Sequence, residues 1–437
     1  MLNQFNVSLW GDEAWAATLA VKPIFQIIKI VAHDTSPPLY YLLDHLWMKI
    51  FGTGEVSIRT LTFIFFLLTI FFTYLIGKHL WDEKTGLFAA ALTFTNPFLF
   101  KYAFEGRMYS LLALTTTASM FFYLKKQRLG QIISTTAALY THHFAIFAVF
   151  VQLFWYLVEN RKQSFKKLIT GLTDFFIIAI LYLPWLYPLY YQTTLVKSGF
   201  WLGKPGLKQI GELIGIFLVG PGEFNFKFGL RALALVVLAA VFIFRNWSKK
   251  IKETGFLLIW FLLPIVLTFA ISWIFQPIFY DRYLLFAVPG VLLILASNRR
   301  KKSTIFLVTF IGLMLVYNFH YFTHPTKRPF RDFAVLVKEK IDNHDLLINY
   351  NAAAHHLFES KYYGLKAPLY VPEGSLPFYV GTALMEKDDL ISEIPDSVIR
   401  LGVITSGSLE EIKIKGFEKL ISFEVEGLKF ARFVPGQ

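Results

Sequence analysis

The sequence predicts a polytopic α-helical membrane protein that ends in a small α/β domain, and three observations carry that reading. Hydrophobic residues make up 55% of the 437 and aromatic ones 18%, while only 17% are charged; soluble domains carry about 25% charged residues. Apolar runs approaching or exceeding the roughly 20 residues that cross about 30 Å of hydrocarbon recur between residues 56 and 319. The basic residues fall in short clusters after those runs, at 125–128, 161–167, 245–252 and 299–302, as cytoplasmic loops do.

The elements follow in order. Between residues 15 and 51 the chain is apolar but broken by Lys22-Pro23, Lys29, His33-Asp34, Pro37-Pro38 and Asp44-His45. Each such charge costs about 2.5–3.5 kcal/mol at mid-bilayer, so the stretch predicts two helices lying along the outer interface, the second opened by Pro37-Pro38. Spans are expected at 56–77, 85–104, 109–124, 168–187, 228–244, 255–275, 283–297 and 303–319. The run 132–158 lies between two basic clusters that both belong in the cytoplasm, which requires a hairpin with its tip at Thr141-His142-His143-Phe144. The sum is about ten crossings. Residues 188–227, with Gly199, Gly203, Pro205, Gly206 and Gly220-Pro221-Gly222, read as a lid or substrate loop. Behind the last span, residues 331–343 predict an amphipathic helix, 345–350 and 400–405 strands, and 417–433 a hairpin turning near Gly427. This divides the chain into a membrane domain over 1–325, whose first 55 residues form an outer loop, and an extracytoplasmic domain over 326–437.

The net charge of +13 is topological. Residues 325–437 hold 14 Lys+Arg against 16 Asp+Glu, so the excess lies wholly in the membrane part, and nucleic acid is excluded as a partner. Without cysteine there is no disulfide, thiolate metal site or thiol nucleophile. Residues 1–15 lack the basic start and apolar run of a cleavable signal peptide.

This threading puts every candidate chemical group on the outer side. Asp12 and Glu13, in Gly11-Asp12-Glu13-Ala14-Trp15, suit the first turn of a helix; they equally suit a base that takes a proton from an acceptor hydroxyl, beside an acid that holds a cation. Glu105 and Arg107 form either an interfacial charge pair or an acid that positions an acceptor or metal beside a phosphate-binding fork. Arg282 in Tyr280-Asp281-Arg282-Tyr283 has the same two readings, and Arg59 is expected to snorkel. His142 and His143 read more readily as satisfied structural histidines than as ligands, since neighbours in sequence seldom point to one centre. Asp34 is a stronger candidate than Asp44, and Asp174 is the one acid well inside an expected span. His356 and Glu359 have metal-like i, i+3 spacing but offer only two ligands.

Taken together, Trp10-x-Asp12-Glu13-Ala14-Trp15, His33-Asp34-x-Ser36-Pro37-Pro38-Leu39-Tyr40-Tyr41, Phe51-Gly52 with Glu55 and Arg59, Glu105-x-Arg107-Met108-Tyr109, Tyr140-Thr141-His142-His143-Phe144 and Asp281-Arg282-Tyr283 resemble one superfamily over about residues 8–325. It is the GT-C integral-membrane glycosyltransferases of family 39 type: protein O-mannosyltransferases, aminoarabinose transferases and the lipopolysaccharide galacturonosyltransferase-like group. The resemblance implies a GT-C fold in the plasma membrane, a polyprenyl-phosphate-linked sugar donor, and inverting transfer to a glycolipid, glycan or protein. It implies Asp12 as base, with Glu13 orienting it or meeting Arg107. Glu105 would be the second acid, with Asp34 also positioning acceptor or metal. Arg107, Arg282 and Tyr283 would lie on the donor phosphate, with His142, His143 and Tyr109 as substrate contacts; a divalent cation is left open. Such enzymes place a membrane span ahead of the acidic pair, whereas only eleven residues precede Asp12, so the expectation is either a span upstream of this start or a shortened enzyme. The rival reading is a flippase or transporter of lipid-linked saccharides, which would place ionisable groups near the bilayer midplane.

Overall fold

A computed structural model of the chain describes residues 2–221, 225–243, 250–297, 301–342, 344–350, 354–372 and 376–436. The basic clusters at 245–252 and 299–302 lie partly outside these residues, as do Gly222 and Asn343. Two compact units emerge, one of Met1–Thr35, Tyr41–Ile58 and His324–Gln437, the other of Ser36–Tyr40 and Arg59–Thr323.

All regular secondary structure among the described residues of the second unit is helical. Four helices running through it are long and apolar enough to cross a membrane: Glu55–Leu80, Thr173–Lys197, Ile251–Ile274 and Lys301–Thr323. Shorter apolar helices lie at Tyr109–Leu124, Ala145–Asn160 and Gly229–Ile243. The helices Arg128–Thr141 and Ala145–Asn160 flank the break at His142–Phe144, where the charge argument requires a hairpin tip. Small residues let helices approach closely. A Cβ on Gly86 would lie 2.7 Å from the Tyr74 carbonyl oxygen, and one on Gly77 2.9 Å from the Gly86 Cα, so the helices Glu55–Leu80 and Glu83–Thr95 cross backbone to backbone.

Three expectations are corrected here. The run 85–104 is two helices, Glu83–Thr95 and Pro97–Ala103. Asn96 separates them by accepting the Leu99 N–H at 3.0 Å, and Pro97 enters the second helix where its missing N–H costs nothing. The expected loop over 188–227 is largely helical, with Leu186–Lys197 and Leu207–Val219 leaving 198–206 as the irregular part before Gly220. Burial of Leu213 and Phe217 outweighs the roughly 1 kcal/mol that each of Gly211 and Gly215 costs a helix. Arg59 does not snorkel; its side chain is fully buried.

The first unit combines the start of the chain with its end. A six-stranded mixed sheet has the order β3-β2-β1-β4-β6-β5, with β1 Leu346–Asn349, β2 Leu369–Tyr370, β3 Leu390–Ile391, β4 Leu401–Thr405, β5 Phe417–Val425 and β6 Leu428–Pro435. Strands β1 to β4 pair in parallel, and β6 runs antiparallel to β4 and β5. Glu426 and Gly427, both at positive φ, close the two-residue β5–β6 turn. Alternation along the strands buries both faces. Leu347, Ile404 and Phe430 pack with Phe330, Phe333 and Val337 of the helix Phe330–Lys340, while Ile348, Val403 and Ala431 face the other core. The sequence expectation missed β2, β3 and the helix Ala354–Tyr362.

Ahead of the sheet in sequence come three helices rather than two: Gly11–Ala20, Ile24–Ala32 and Leu39–Phe51. The first is mostly buried and packs along Ala354–Tyr362. The second leaves Ile24, Phe25 and Ile28 exposed, the apolar face an interfacial helix needs. Polar side chains tie this segment to the sheet. Leu9 N–H donates to the Tyr363 hydroxyl at 2.8 Å, which itself donates to Glu55 at 3.0 Å. Arg331 reaches Glu55 and the Asn6 carbonyl, both at 3.3 Å.

Candidate active site

The candidate residues fall into two groups, one in each unit. In the first unit Trp10 caps the helix Gly11–Ala20, and Asp12 and Glu13 occupy its first turn, where unpaired N–H groups make the end positive and favour carboxylates. Asp12 is partly exposed and Glu13 fully buried. Glu13 Oε2 accepts the Trp10 N–H at 3.4 Å and a hydrogen bond from Lys327 Nζ at 2.8 Å. A carboxylate without solvent requires such a partner. Lys327 is a residue that sequence reasoning missed. Asp34 lies just past the helix Ile24–Ala32 and is partly exposed. Asp44, on Leu39–Phe51, is fully buried with neither carboxylate oxygen hydrogen-bonded, and burial pushes its carboxyl up to about 8. His356 and Glu359 are both buried and bond to each other at 2.6 Å.

In the second unit Glu105, Arg107, Tyr109, His142, Arg282 and Tyr283 come together. A tight turn, in which Arg107 N–H donates to the Glu105 carbonyl at 2.6 Å, joins the helices Pro97–Ala103 and Tyr109–Leu124. Ser110 Oγ bridges the turn to the Tyr102 carbonyl at 2.8 Å. Tyr280 to Ala287 enter as an extended residue and a 3-10 turn, with Asp281 accepting the Arg282 N–H at 2.6 Å. The Arg282 guanidinium is thereby set among three phenol rings, 5.1 Å from Tyr280, 5.5 Å from Tyr109 and 5.8 Å from Tyr283, within cation–π range. His142 lies 5.1 Å from the Tyr283 ring and 6.3 Å from that of Tyr109. Burial holds His142 well below the usual histidine range, helped by the positive fields of His143, Arg107 and Arg282. The histidine is neutral, and Arg107, Arg282, Asp281 and buried Glu105 are the other ionisable groups of the site.

His143 stands apart from that cluster. Its Nε2 meets Gln192 Oε1 at 2.7 Å and its Nδ1 the Tyr182 hydroxyl at 3.3 Å. Because an amide oxygen only accepts, Nε2 carries the proton and Nδ1 receives the tyrosine's; burial pushes this residue down to about 4. Gln192 in turn donates to the Ser36 carbonyl at 3.3 Å. Gln192 and Tyr182 were not singled out in the sequence, and Gln192 fell in the segment read as a lid. Tyr280, beside Arg282 in its motif, was the fourth omission, after Lys327, Gln192 and Tyr182. Asp174 sits in the first turn of Thr173–Tyr182 and pairs with Arg128 at 2.6 Å. Among the described residues no three histidine, aspartate or glutamate side chains are placed to hold one metal ion.

Residues 35–187 match the family model of dolichyl-phosphate-mannose-protein mannosyltransferase. No curated protein matches the chain. Among solved structures, apo ArnT from Cupriavidus metallidurans superposes with a TM-score of 0.64 at 11% identity, over 98% of this chain and 94% of that one. The same protein bound to undecaprenyl phosphate gives 0.51 at 9% identity, over 98% and 95%. The oligosaccharyltransferase of Archaeoglobus fulgidus with Zn and sulfate gives 0.50 at 14% identity, over 91% of this chain and 64% of the other. The resemblance read from the motifs thus stands on two findings: the chain has the GT-C fold of these membrane glycosyltransferases over nearly its whole length, and residues 35–187 match a mannosyltransferase model of that class.

Proposed function

We propose that the chain transfers a monosaccharide, with inversion, from a polyprenyl-phosphate-linked donor to a glycolipid, cell-surface glycan or protein, on the outer face of the plasma membrane. The observation that carries this reading is the Arg282 guanidinium held among Tyr109, Tyr280 and Tyr283, with Arg107 adding its charge next to a neutral His142. Such a cluster suits a phosphate with an apolar tail: guanidinium forks take the phosphate oxygens, and the rings offer apolar surface to the prenyl chain. The matched family model names a dolichyl-phosphate sugar, and the similar ArnT binds undecaprenyl phosphate.

In this mechanism Asp12 accepts the proton of the acceptor hydroxyl as its oxygen attacks the anomeric carbon. The bond from that carbon to the phosphate oxygen breaks on the opposite face. The lipid phosphate leaves with the electron pair and gains a negative charge, which Arg107 and Arg282 stabilise. Glu13, tethered to Lys327, fixes the helix end that carries Asp12. Glu105 and Asp34 position the acceptor, and Tyr109, His142 and His143 shape the sugar site.

A transporter is disfavoured by what lies inside the bundle. The buried polar chain there, Gln131 to Gln152 to Ser119 to Thr135, is linked at 3.0, 2.6 and 2.6 Å and holds no ionisable group. The test is Asp12→Asn. Transfer to acceptor is expected to vanish while donor binding persists; full transfer by this variant would remove the base assignment.

A further inference from the structure

The helix Tyr109–Leu124 has Tyr109 at one end and Tyr123 at the other, about 21 Å away at 1.5 Å per residue. At that far end lies a cavity of about 460 Å³, with Tyr123, Lys126, Arg128, Trp155 and Asp174 in its lining. A neighbouring cavity of about 680 Å³ adds Lys166 and Lys167, and the two share Arg128, Gly171 and Asp174. None of the residues assigned to sugar transfer lines either one.

The charges here are unevenly matched. One Asp174 oxygen takes both Nε and Nη2 of Arg128, at 2.8 and 2.6 Å, and Glu159 pairs with Lys252 at 2.5 Å. Lys126, Lys166 and Lys167 make no ion pair among the described residues, nor does Glu253, so five Lys and Arg side chains face three carboxylates. The wall behind them is aromatic, with Phe256 stacked on Tyr123 at 5.9 Å and edge-on to Trp155 at 5.6 Å. The site is also built tightly. Tyr156 donates to the Leu168 carbonyl at 2.9 Å, and a Cβ on Gly171 would lie 1.9 Å from that hydroxyl, so a larger residue at Gly171 would push the Tyr156 hydroxyl off this carbonyl.

We propose that this paired cavity binds a phosphate ester, supplied by the headgroup of an anionic bilayer phospholipid, and that Asp174 competes with the phosphate for Arg128. Lysines and an arginine fork at the end of apolar helices, with aromatic rings behind them, match a headgroup whose phosphate meets the cations while its glycerol carbons meet the rings. The site is distinct from the donor site proposed above and does not depend on it.

The test is native mass spectrometry of the full-length, delipidated protein titrated with short-chain phosphatidylglycerol, short-chain phosphatidylcholine or inorganic phosphate. Binding of phosphatidylglycerol in preference to phosphatidylcholine is expected, about tenfold weaker in Arg128→Gln and weaker in Lys166→Gln, whose surface position leaves folding untouched. Asp174→Asn distinguishes the proposal from a structural ion pair, because it should bind about threefold tighter. Inorganic phosphate competing at comparable concentration would keep the phosphate site and assign its occupant to a free phosphate instead. Equal binding of the two lipids, no response to Arg128→Gln, or weaker binding by Asp174→Asn would overturn it.

Discussion

Glu13 shows how one side chain can serve both the fold and the chemistry. It caps the turn that carries Asp12, and with no exposed surface it relies on Lys327, itself 17% exposed. Removing one partner of a buried pair costs about 3 kcal/mol, because the other charge stays behind. Lys327→Met should therefore lower the thermal midpoint, and Glu13→Gln added to it should restore part of the loss; a double variant no more stable than the single would refute the pairing. The sign of a pH effect is set by Asp44. Burial pushes it up to about 8, so above the usual carboxylate range the folded chain holds a proton that the unfolded chain has lost. Stability from this group is complete in acid and falls as pH rises toward 8, by up to about 1.4 kcal/mol per pH unit. His143, pushed down to about 4, acts in the opposite sense and loses stability as pH falls below the usual histidine range. Asp44→Asn should abolish the decline toward pH 8 in thermal unfolding, and an unchanged profile would count against a buried, proton-bearing Asp44.

Among the elements, the helix crossing at Gly77 and Gly86 is the most sharply defined. A single methyl at Gly86 meets the Tyr74 carbonyl at 2.7 Å, and overpacking of this kind costs about 1–3 kcal/mol. Gly86→Ala should destabilise the protein by that amount, whereas Gly211→Ala, with open space around it, should be neutral or stabilising; equal effects in a denaturation series would argue against close packing at Gly86. Elements like these were legible where a local signal existed. Basic clusters on both sides of 132–158 demanded the turn at His142, and the alternation at 417–433 with Gly427 set the hairpin. The split at Asn96-Pro97 was also written locally, as a cap residue followed by proline, but it was submerged in a continuous apolar run. Pro264 shows why proline alone is a poor guide, since the helix Ile251–Ile274 continues through it. The segment 207–219 was misread for the reverse reason: the glycines and prolines on either side of it suggested a loop while its burial made a helix.

At the scale of the molecule, the division into units could not be seen in the sequence. The first unit joins segments 276 to 366 residues apart through Leu9 and Tyr363, Arg331 and Glu55, and Trp15 Nε1 and the Gly381 carbonyl at 3.4 Å, and no local pattern announces such pairs. One clue existed. Lys327, Arg328 and Arg331 follow the last span on the side assigned to the outside, where positive charge is uncommon, and two of the three are committed to Glu13 and Glu55. The candidate site was legible as motifs, because Glu105-Gly106-Arg107 and Asp281-Arg282-Tyr283 each carry their chemistry within a few residues. Its supporting groups Gln192 and Tyr182 were not, since they reach His143 only through the fold.

The arginine among the tyrosines is the proposed seat of the donor phosphate. The most direct measurement is equilibrium binding of a polyprenyl phosphate to the purified full-length protein and to Arg282→Ala, with folding monitored by size-exclusion and circular dichroism. Loss of a charged hydrogen bond to phosphate predicts affinity weaker by about tenfold or more in the variant; an affinity equal to that of the unaltered protein would rule out Arg282 as the phosphate's partner.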